Sequence, residues 1–520
     1  MRSTGQRILR AAVLVIGLTL LAKASGLLRD IITASQFGTS PELDGFLIAA
    51  ATAELLFVWL KHPLHVVLVP LFTKDLANRG ERAAWENAST LANTMIILFL
   101  IFAAMGWLLS PYLVALMAPG FTEGGYALTV SMTKWMMVTV VFLGLARLLS
   151  SFFYSYQRFG WPGMISTVDN AVVIPSMLFF TPLLGIYGIV ISEILGTISQ
   201  SVVQLPILWK HRAYYTFRVD LKNPTLRQMT RISLPLFVGT GGAEISRISD
   251  RIFASWLSAG SLSALAYGFR LTYTTSYTVV ASLTTVLFPF LSRSAGRENY
   301  EDLERKLFTS LRALFWIVCP LSIGLLLLHD PLVRLVYYRG AFGEESVRTT
   351  GQAVLYYAVG LSAFSLSNVL TYAFYSLQDT KTPVIVGLAR LVLKVLLSFA
   401  LVGPMGHSGL ALAESISFML KAILLLLLLP SALRQAEYQK ALCSFGLTGI
   451  ITGVMAAVVV VALPYVQTAF EVGASVLMTS MGLMTLMALG AVTYIMFSLL
   501  LQPSELIGFY RFVRSGFARL

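Results

Sequence analysis

The sequence predicts an all-α polytopic membrane protein with about fourteen transmembrane helices. Its 520 residues are 57% hydrophobic and only 12% charged, with a mean hydropathy of +0.77, whereas ordinary soluble domains carry about 25% charged residues. Apolar runs recur along the whole chain at the length of about 20 residues that a helix needs to cross a bilayer. Because these runs are continuous rather than alternating, they favour helices over the strands of a membrane barrel.

The apolar runs give fourteen predicted helices, and no large soluble domain fits between them. The helices span residues 10–36, 43–72, 88–117, 126–155, 159–181, 185–208, 228–256, 262–292, 306–328, 352–376, 382–402, 407–429, 444–466 and 476–501. Arg2, Arg7 and Arg10 precede the first run in a pattern that resembles a signal peptide. We assign this run to the first helix instead, because the residues that follow it belong to an internal repeat.

The charges of the predicted loops set the orientation in the membrane. The net charge of +13 is also typical of nucleic-acid binding, but here Lys and Arg gather in alternate loops, which is the pattern of cytoplasmic loops in membrane proteins. The inner loops include Thr73–Asn87, Trp209–Arg231 and Ser292–Arg312, and the outer loops carry only Arg334, Arg339 and Arg348. The alternation predicts that both termini lie in the cytoplasm.

An internal duplication divides most of the chain into two similar halves. Four matches occur in order at a nearly constant offset of 219 to 221 positions. They pair Asp30–Ser35 with Asp250–Ser255, Pro70–Lys74 with Pro289–Arg293, Phe153–Gln157 with Phe374–Gln378, and Gly185–Glu193 with Gly406–Glu414. Six spans separate the copies, so the two six-helix lobes are expected to be parallel. We predict an N-terminal lobe over 1–215, a second lobe over 216–435, and two extra helices with a cytoplasmic tail over 436–520.

The sequence offers no pattern for enzymatic or metal chemistry. Cys319 and Cys443 lie in or beside apolar runs and are interpreted as buried thiols rather than as a disulfide. The five histidines show no metal-ligand spacing, and no glycine loop with a lysine suggests a phosphate-binding site. We therefore predict a transporter rather than an enzyme, with no cofactor and no assigned metal, driven by the membrane potential or by a Na+ or H+ gradient.

Charged residues within the apolar runs indicate where a substrate binds. The first two helices of the first lobe carry Lys23, Arg29, Asp30, Asp44, Glu54 and Lys61, and those of the second lobe carry Glu244, Arg247, Asp250, Arg251 and Arg270. An ionisable group at membrane depth costs at least about 2.5 kcal/mol and therefore faces a cavity or a partner. Because these helices are equivalent in the two lobes, we expect a cationic cavity between the lobes. Guanidinium groups bind phosphate oxygens in a bidentate manner, so such a cavity suits a diphosphate.

Structural interpretations compete with binding at most of these positions. Arg29, Asp30, Asp250 and Arg251 would also fit ion pairs between the lobes, and Lys61 would also fit a side chain that extends to a water interface. Arg270 has no acidic neighbour within one turn, which favours a ligand-facing role.

Three further acidic residues leave two interpretations open. Glu193 and Glu414 occupy equivalent repeat positions and suit structural pairing or a proton or cation role. Asp379 suits a helix cap or, together with Asp250, a sodium site.

Several motifs resemble the MurJ (MviN) family of lipid II flippases, which belongs to the multidrug/oligosaccharidyl-lipid/polysaccharide exporter superfamily. The matching stretches are Ser25–Asp30, Phe37–Gly38, Asp44–Phe46, Ala118–Phe121, Phe253–Ser255, Phe269–Leu271, Tyr338–Phe342 and Gln378–Pro383. The resemblance implies movement of lipid II, the undecaprenyl-diphosphate-linked peptidoglycan precursor, from the inner to the outer leaflet. It implies essential cavity arginines at Arg29 and Arg270, a further cation at Lys23 and an acidic residue at Asp44. Membrane lipids and cell-wall synthesis enzymes are the implied partners.

The second helix departs from the family pattern and keeps other functions open. The chain reads Leu55–Val58 where family members often carry two arginines, with Lys61 one turn further on, and Phe269 stands where an aspartate usually precedes Arg270. A flippase for another polyprenyl-linked glycan, such as an exopolysaccharide or teichoic-acid unit, is the first alternative. A non-transporting cell-wall scaffold is the second. A cation-coupled drug exporter ranks last because its cavity should be acidic.

Overall fold

A computed structural model describes residues 4–220, 222, 227–228, 231, 244–470 and 476–502. Side chains are described throughout this part except at 4–16, 58–66, 275, 277–279, 281–282, 285–286, 467–470 and 476. Every regular element in the described part is a helix, which confirms the predicted all-α class.

Fifteen α-helices follow one another along the described part of the chain. They are α1 (Thr4–Phe37), α2 (Pro41–Met117), α3 (Glu123–Ser155), α4 (Gly160–Leu184), α5 (Ile186–Val202), α6 (Pro206–Lys210), α7 (244–255), α8 (Ser261–Gly296), α9 (Tyr300–Leu327), α10 (His329–Tyr337), α11 (Glu344–Ser376), α12 (Lys381–Met405), α13 (His407–Leu427), α14 (Ala436–Ala462) and α15 (Val476–Leu501). Short 3-10 helices span Arg212–Tyr214, Ser431–Leu433 and Leu463–Phe470.

The helices agree with the predicted spans apart from four differences, the first being that the predicted helix 185–208 forms two helices, α5 and α6. Helix α2 joins the second and third predicted helices, and Gly80 (φ 80°, ψ 170°) forms a kink between them. Helix α10 is an additional short helix, and the predicted helix 228–256 is described as a continuous helix only over 244–255. Ten helices in the described part are long and apolar enough to cross a bilayer, so the exact count of fourteen spans remains a prediction.

Local sequence signals explain where α2 begins. The Ser40 hydroxyl accepts a hydrogen bond from the backbone N–H of Leu43 at 3.2 Å, and Pro41 follows in the first helical position. A side-chain cap and a proline at this position both favour helix initiation. Glu42 and Asp44 lie in the first turn, where negative charge is favourable beside the helix dipole.

The chain forms two compact units, Met1–Gly260 and Ser261–Leu520. In the first unit α3 packs against α2 and α5, while α4 packs against α5 and α1. In the second unit α11 packs against α8, α9 and α13, α12 packs against α13, and α14 packs against α9 and α15. The three-part division predicted at residues 215 and 435 remains a prediction.

A glycine turn repeats in both units and explains one of the duplicated motifs. Gly185 (φ 56°, ψ −133°) joins α4 to α5, and Gly406 (φ 57°, ψ −138°) joins α12 to α13 in the same conformation, which is accessible only to glycine. Three residues later, a Cβ on Gly188 would lie 2.5 Å from the backbone N of Thr181, and one on Gly409 would lie 2.4 Å from the Leu401 carbonyl oxygen. The first glycine therefore makes the turn, and the second permits close helix packing.

An aromatic core joins α2, α3 and α6 in the first unit. Phe72 contacts Trp85 and Phe152 edge to face at ring-centroid distances of 5.3 and 5.0 Å, and all three rings are buried. Such pairs stabilise a core by about 0.5–1.5 kcal/mol each beyond the area they bury. This core fixes the ends of α3 and α6 against α2.

Candidate substrate site

Arg29 lies between two carboxylates in the first unit. Its Nη1 atom is 3.3 Å from Oε1 of Glu193 and 3.5 Å from Oδ2 of Asp169. Gln200 donates to the other oxygen of Asp169 at 2.8 Å. Helices α1, α4 and α5 therefore meet at what we call the first charge cluster, Arg29, Asp169 and Glu193, in which two carboxylates share one guanidinium.

The other predicted residues of the first two helices occupy different environments. Lys23 is half-buried on α1, and Asp30 is buried on the same helix. Asp44 is also buried, and its Oδ2 accepts a hydrogen bond from the backbone N–H of Gly260 at 2.7 Å. The carboxylate of Asp44 thus ties the start of α2 to the turn that follows α7. Lys61 lies outside the residues whose side chains are described.

The charged residues of helix α7 also lie in the first unit. Asp250 and Arg251 are both half-buried. The carboxylates of Glu54 on α2 and of Asp250 lie within electrostatic range of the Arg251 guanidinium. Acidic groups on two helices therefore lie near this cation.

Arg270 is an exposed side chain on α8 in the second unit. Burial raises the pKa of Tyr337 on α10 to about 12, and the positive charge of Arg270 acts in the opposite direction. The guanidinium therefore lies within electrostatic range of Tyr337. An accessible guanidinium is what the ligand-facing interpretation requires, although its role in substrate binding remains a prediction.

A second group of charges lies inside the second unit. The Glu414 carboxylate on α13 receives Nη2 of Arg390 at 2.6 Å and Nζ of Lys394 at 2.9 Å, both from α12. Lys394 is only 1% exposed. The Arg390 guanidinium also stacks 3.8 Å from the ring centroid of Phe418, and its charge acts on Lys421. We call Arg390, Lys394, Glu414 and Lys421 the second charge cluster.

Part of the two clusters occupies equivalent repeat positions, and one of these positions carries opposite charge in the two copies. At the offset of 221 positions, Glu193 corresponds to Glu414, but Asp169 corresponds to Arg390. Gln200 likewise corresponds to Lys421. In the first cluster two carboxylates therefore share one cation, whereas in the second two cations contact one carboxylate. Structural pairing of Glu193 and Glu414, one of the two sequence interpretations, agrees with these contacts.

Sequence reasoning missed Asp169, Arg390 and Lys394. A usable signal was present, because Asp169 and Arg390 are charged residues inside apolar runs at the same offset as the other repeat matches. Arg390 and Lys394 are also four residues apart, a spacing that places both on one helical face.

Among the described residues, no group of three or more His, Cys, Asp or Glu side chains could hold a metal ion, and the sodium-site interpretation of Asp250 and Asp379 stays a prediction. Asp379 lies at the start of α12. Its Oδ1 accepts backbone hydrogen bonds from Lys381 and Thr382, both at 3.0 Å. This geometry is that of a helix cap.

Replacing Asp379 by alanine is expected to lower the unfolding free energy by about 1 kcal/mol, because the first N–H groups of α12 lose their acceptor. Hydrogen bonds from Thr382 hold the pKa of Asp379 below its ordinary value. The cap is therefore fully present above the ordinary carboxyl pKa and is lost as the pH falls through the lowered one. Thermal unfolding of the detergent-solubilised protein across this pH range measures both effects.

Asp379→Asn is the matched variant, because the amide oxygen still caps the helix but carries no charge. We expect its stability and its transport to resemble those of the wild type. Loss of transport at unchanged stability would show that the carboxylate acts in ion coupling instead.

The fold and these clusters define a multi-pass membrane protein of the transporter type, with charged groups paired inside apolar helices. A family model described as lipid II flippase MurJ matches residues 33–481. The chain belongs to the MurJ family of lipid II flippases, which confirms the resemblance found in the sequence.

Relatives and solved structures agree with this assignment. A protein of Buchnera aphidicola subsp. Schizaphis graminum named probable lipid II flippase MurJ is 28% identical over 449 residues, covering 85% of this chain and 86% of the relative. The lipid II flippase MurJ of Burkholderia cenocepacia is 27% identical over 427 residues, covering 80% and 83%.

Two solved structures share the fold. A structure of lipid II flippase MurJ in an inward closed conformation has a TM-score of 0.78 at 20% identity, covering 94% of this chain and 98% of that one. An inward-facing multidrug resistance MATE family transporter of the MOP superfamily has a TM-score of 0.66 at 15% identity, covering 83% and 98%. The fold is therefore shared with a MATE family transporter as well as with a MurJ structure.

Proposed function

We propose that this chain moves lipid II from the inner to the outer leaflet of a bacterial cytoplasmic membrane by alternating access. The observation that carries the proposal is the match to the flippase family over residues 33–481. The chain acts as a transporter rather than as an enzyme. Both termini lie in the cytoplasm, as the alternation of charge between predicted loops indicates.

In this proposal Arg29 and Arg270 bind the substrate's diphosphate, as the resemblance to the family implies, with Lys23 as a further cation. Arg29 already contacts Asp169 and Glu193 at 3.3–3.5 Å, which are long distances for a charge-assisted hydrogen bond. A phosphate can therefore compete for the guanidinium without breaking a short bidentate pair. The two carboxylates hold the guanidinium in place when substrate is absent.

The lipid tail remains in the bilayer beside α14 and α15. The predicted C-terminal helices are almost free of charge between Gly446 and Leu501, and many apolar side chains of α15 are exposed, among them Met481, Met484, Val492 and Leu500. Exposed apolar side chains on a membrane helix suit contact with acyl chains. Transport draws on the membrane potential or on a Na+ or H+ gradient, and cell-wall synthesis enzymes receive the product.

Lipid II sidedness in cells depleted of their own flippase tests the proposal. The cells receive this chain or its Arg270→Ala variant, and an external enzyme that cleaves only outer-leaflet lipid II reports translocation. We expect the wild type to restore cleavage and the variant, at equal abundance, to restore little. An abundant wild type that restores no cleavage would contradict lipid II as the substrate.

A flippase for another polyprenyl-linked glycan is the second candidate. The specific observation in its favour is the apolar stretch Leu55–Val58, which lacks the two arginines that the family often carries there. Accumulation of a different polyprenyl diphosphate in the inner leaflet of a deletion strain, measured by mass spectrometry of extracted lipids, would favour this candidate over lipid II.

A further inference from the structure

A cleft opens in the first unit where the end of α3, the start of α4 and helix α6 meet. The cleft is open to solvent, and its lining includes Tyr156, Arg158, Trp161, Pro206, Lys210 and His211. None of these residues belongs to the first charge cluster. The cleft combines two cations with aromatic rings, and both cations lie outside the stretches that resemble the flippase family.

A hydrogen-bonded network fixes the wall of the cleft. His211 is 5% exposed, and its two ring nitrogens lie 2.8 Å from the Ile207 carbonyl oxygen and 2.9 Å from Oε1 of Glu81. Tyr156 donates to the same Glu81 oxygen at 2.9 Å and accepts from the indole N–H of Trp85 at 2.9 Å. The carboxylate of Glu81 is thus engaged by Tyr156 and His211.

Neither Arg158 nor Lys210 forms an ion pair in the part of the chain that the structure describes. Arg158 and Lys210 are both exposed, and each stands beside the network rather than in it, with Arg158 acting electrostatically on Tyr156 and Lys210 on Glu81. Two unpaired cations beside one cleft suit an anionic ligand.

The duplication provides an internal comparison for the cleft. The turn after α3 has the same backbone conformation as the turn after α11, with φ of 56° at Gln157 and 61° at Gln378. At the equivalent positions, however, Tyr156 is Leu377, Arg158 is Asp379 and Trp161 is Thr382. The same local fold therefore forms without the cation and the aromatic rings, so these residues are not required by the fold.

Arg158 stands where the second copy has Asp379, and this difference leaves the start of α4 without a side-chain cap. Asp379 caps α12 with two backbone hydrogen bonds, whereas the N-cap residue of α4, Phe159, makes no side-chain hydrogen bond and Arg158 offers no acceptor. A cation at a helix start is unfavourable beside the positive end of the helix dipole. A ligand that binds the Arg158 cation explains why this position carries an arginine instead of a capping aspartate.

The position of the cleft at the ends of two membrane helices favours a lipid headgroup as its ligand. The membrane helices α3 and α4 end and begin at Ser155 and Gly160, so the cleft lies at the level where tryptophan, tyrosine and basic residues anchor membrane proteins. Exposed basic residues continue along the following segment at Arg212, Arg218 and Lys222. Basic pockets between membrane helices on the cytoplasmic side bind phosphate-bearing lipid headgroups.

We propose that this cleft binds the headgroup phosphate of an anionic phospholipid in the leaflet that the loop charges assign to the cytoplasm. Arg158 and Lys210 contact the phosphate, and Trp161 packs against the glycerol backbone of the lipid. The site is separate from the residues proposed to bind the transported substrate, so it acts as a lipid contact of the first unit rather than as part of the transport path.

The test compares two double variants of the full chain that change the net charge equally. Arg158→Gln with Lys210→Gln removes the cleft cations, and Arg79→Gln with Arg82→Gln removes two exposed arginines elsewhere in the first unit. Each purified protein in a neutral detergent is titrated with short-chain phosphatidylglycerol, and the apparent Kd is read from tryptophan fluorescence and from the shift in thermal unfolding. We expect the cleft variant to bind about tenfold more weakly and the control to bind as the wild type does.

A charge-retaining variant and a titration with inorganic phosphate distinguish lipid binding from misfolding and from binding of a soluble phosphate compound. The charge-retaining variant Arg158→Lys with Lys210→Arg should bind phosphatidylglycerol as the wild type does, which distinguishes loss of the site from misfolding. Equal weakening in both charge-removing variants, or none in either, would overturn the proposal. Inorganic phosphate that binds the wild type as tightly as phosphatidylglycerol would assign the cleft to a soluble phosphate compound and overturn the lipid assignment.

Discussion

Replacing Arg29 by alanine is expected to lower lipid II translocation at least tenfold. The guanidinium is the cation of the first charge cluster, and its loss removes hydrogen bonds to a charged ligand of about 1.5–3 kcal/mol. It also leaves Asp169 and Glu193 as two neighbouring carboxylates with no cation between them, in the place where the substrate's diphosphate is proposed to bind. Complementation of flippase-depleted cells and the lipid II sidedness assay measure the loss.

Three companion variants separate binding from folding. Arg29→Lys retains the charge but not the planar fork that suits phosphate, so we expect partial activity. Arg29→Ala with Glu193→Gln removes the repulsion between the carboxylates and should recover abundance but not transport. Arg79→Ala alters an exposed arginine with a side-chain exposure of 67% and should leave transport unchanged. Full transport by well-expressed Arg29→Ala would remove Arg29 from the substrate site and favour the scaffold interpretation.

Replacing Glu414 by glutamine is expected to destabilise the second unit by about 3–5 kcal/mol, because breaking a buried ion pair leaves its partners charged and uncompensated. Arg390 at 2.6 Å and Lys394 at 2.9 Å would both lose their carboxylate. Lys394 is almost completely buried and reaches no water. Thermal unfolding of the purified protein should shift downward by roughly 6 °C or more, and less folded protein should be recovered from membranes.

The matched control is Glu345→Gln on α11. Glu345 pairs with Arg348 at 2.8 Å, but both side chains are well exposed, and exposed pairs contribute little. Its unfolding temperature should therefore remain that of the wild type. Adding Lys394→Met to Glu414→Gln should recover part of the loss, since a buried ion pair can be replaced by apolar groups of similar volume. Equal stability of Glu414→Gln and Glu345→Gln would contradict the buried pair.

Most of the fold could be predicted because hydrophobic length is a strong signal. The predicted helix 382–402 corresponds to Lys381–Met405, and 407–429 corresponds to His407–Leu427. Helix α10 was missed because its nine residues are amphipathic and too short to span a bilayer. The sequence predicts a break between two helices at residues 73–87, because a polar stretch there interrupts the apolar pattern. The structure has a kink at Gly80 instead, and the backbone is helical on both sides of it.

For the candidate site, the sequence indicated several of the charged residues but not which of them pair with each other. Arg29 was identified because a charge in an apolar helix is costly, but its partners Asp169 and Glu193 lie more than a hundred residues away on other helices. Which helices meet is decided by packing, and helical periodicity carries no information about it. The duplication could have supplied that information for the second charge cluster, because it places Arg390 opposite Asp169 in the two copies.

The reversed charge at these equivalent positions has a consequence for the history of the molecule. Duplication of one ancestral half gives two identical halves, and such a protein would carry the same cluster twice. The halves have since diverged, and Asp169 in one half stands at the position of Arg390 in the other. A hybrid chain built from two copies of the residue 1–215 half would carry the first charge cluster twice and lack the second. The two halves of the present protein therefore differ in charge at this position, and a symmetric dimer of the residue 1–215 half would not reproduce that difference.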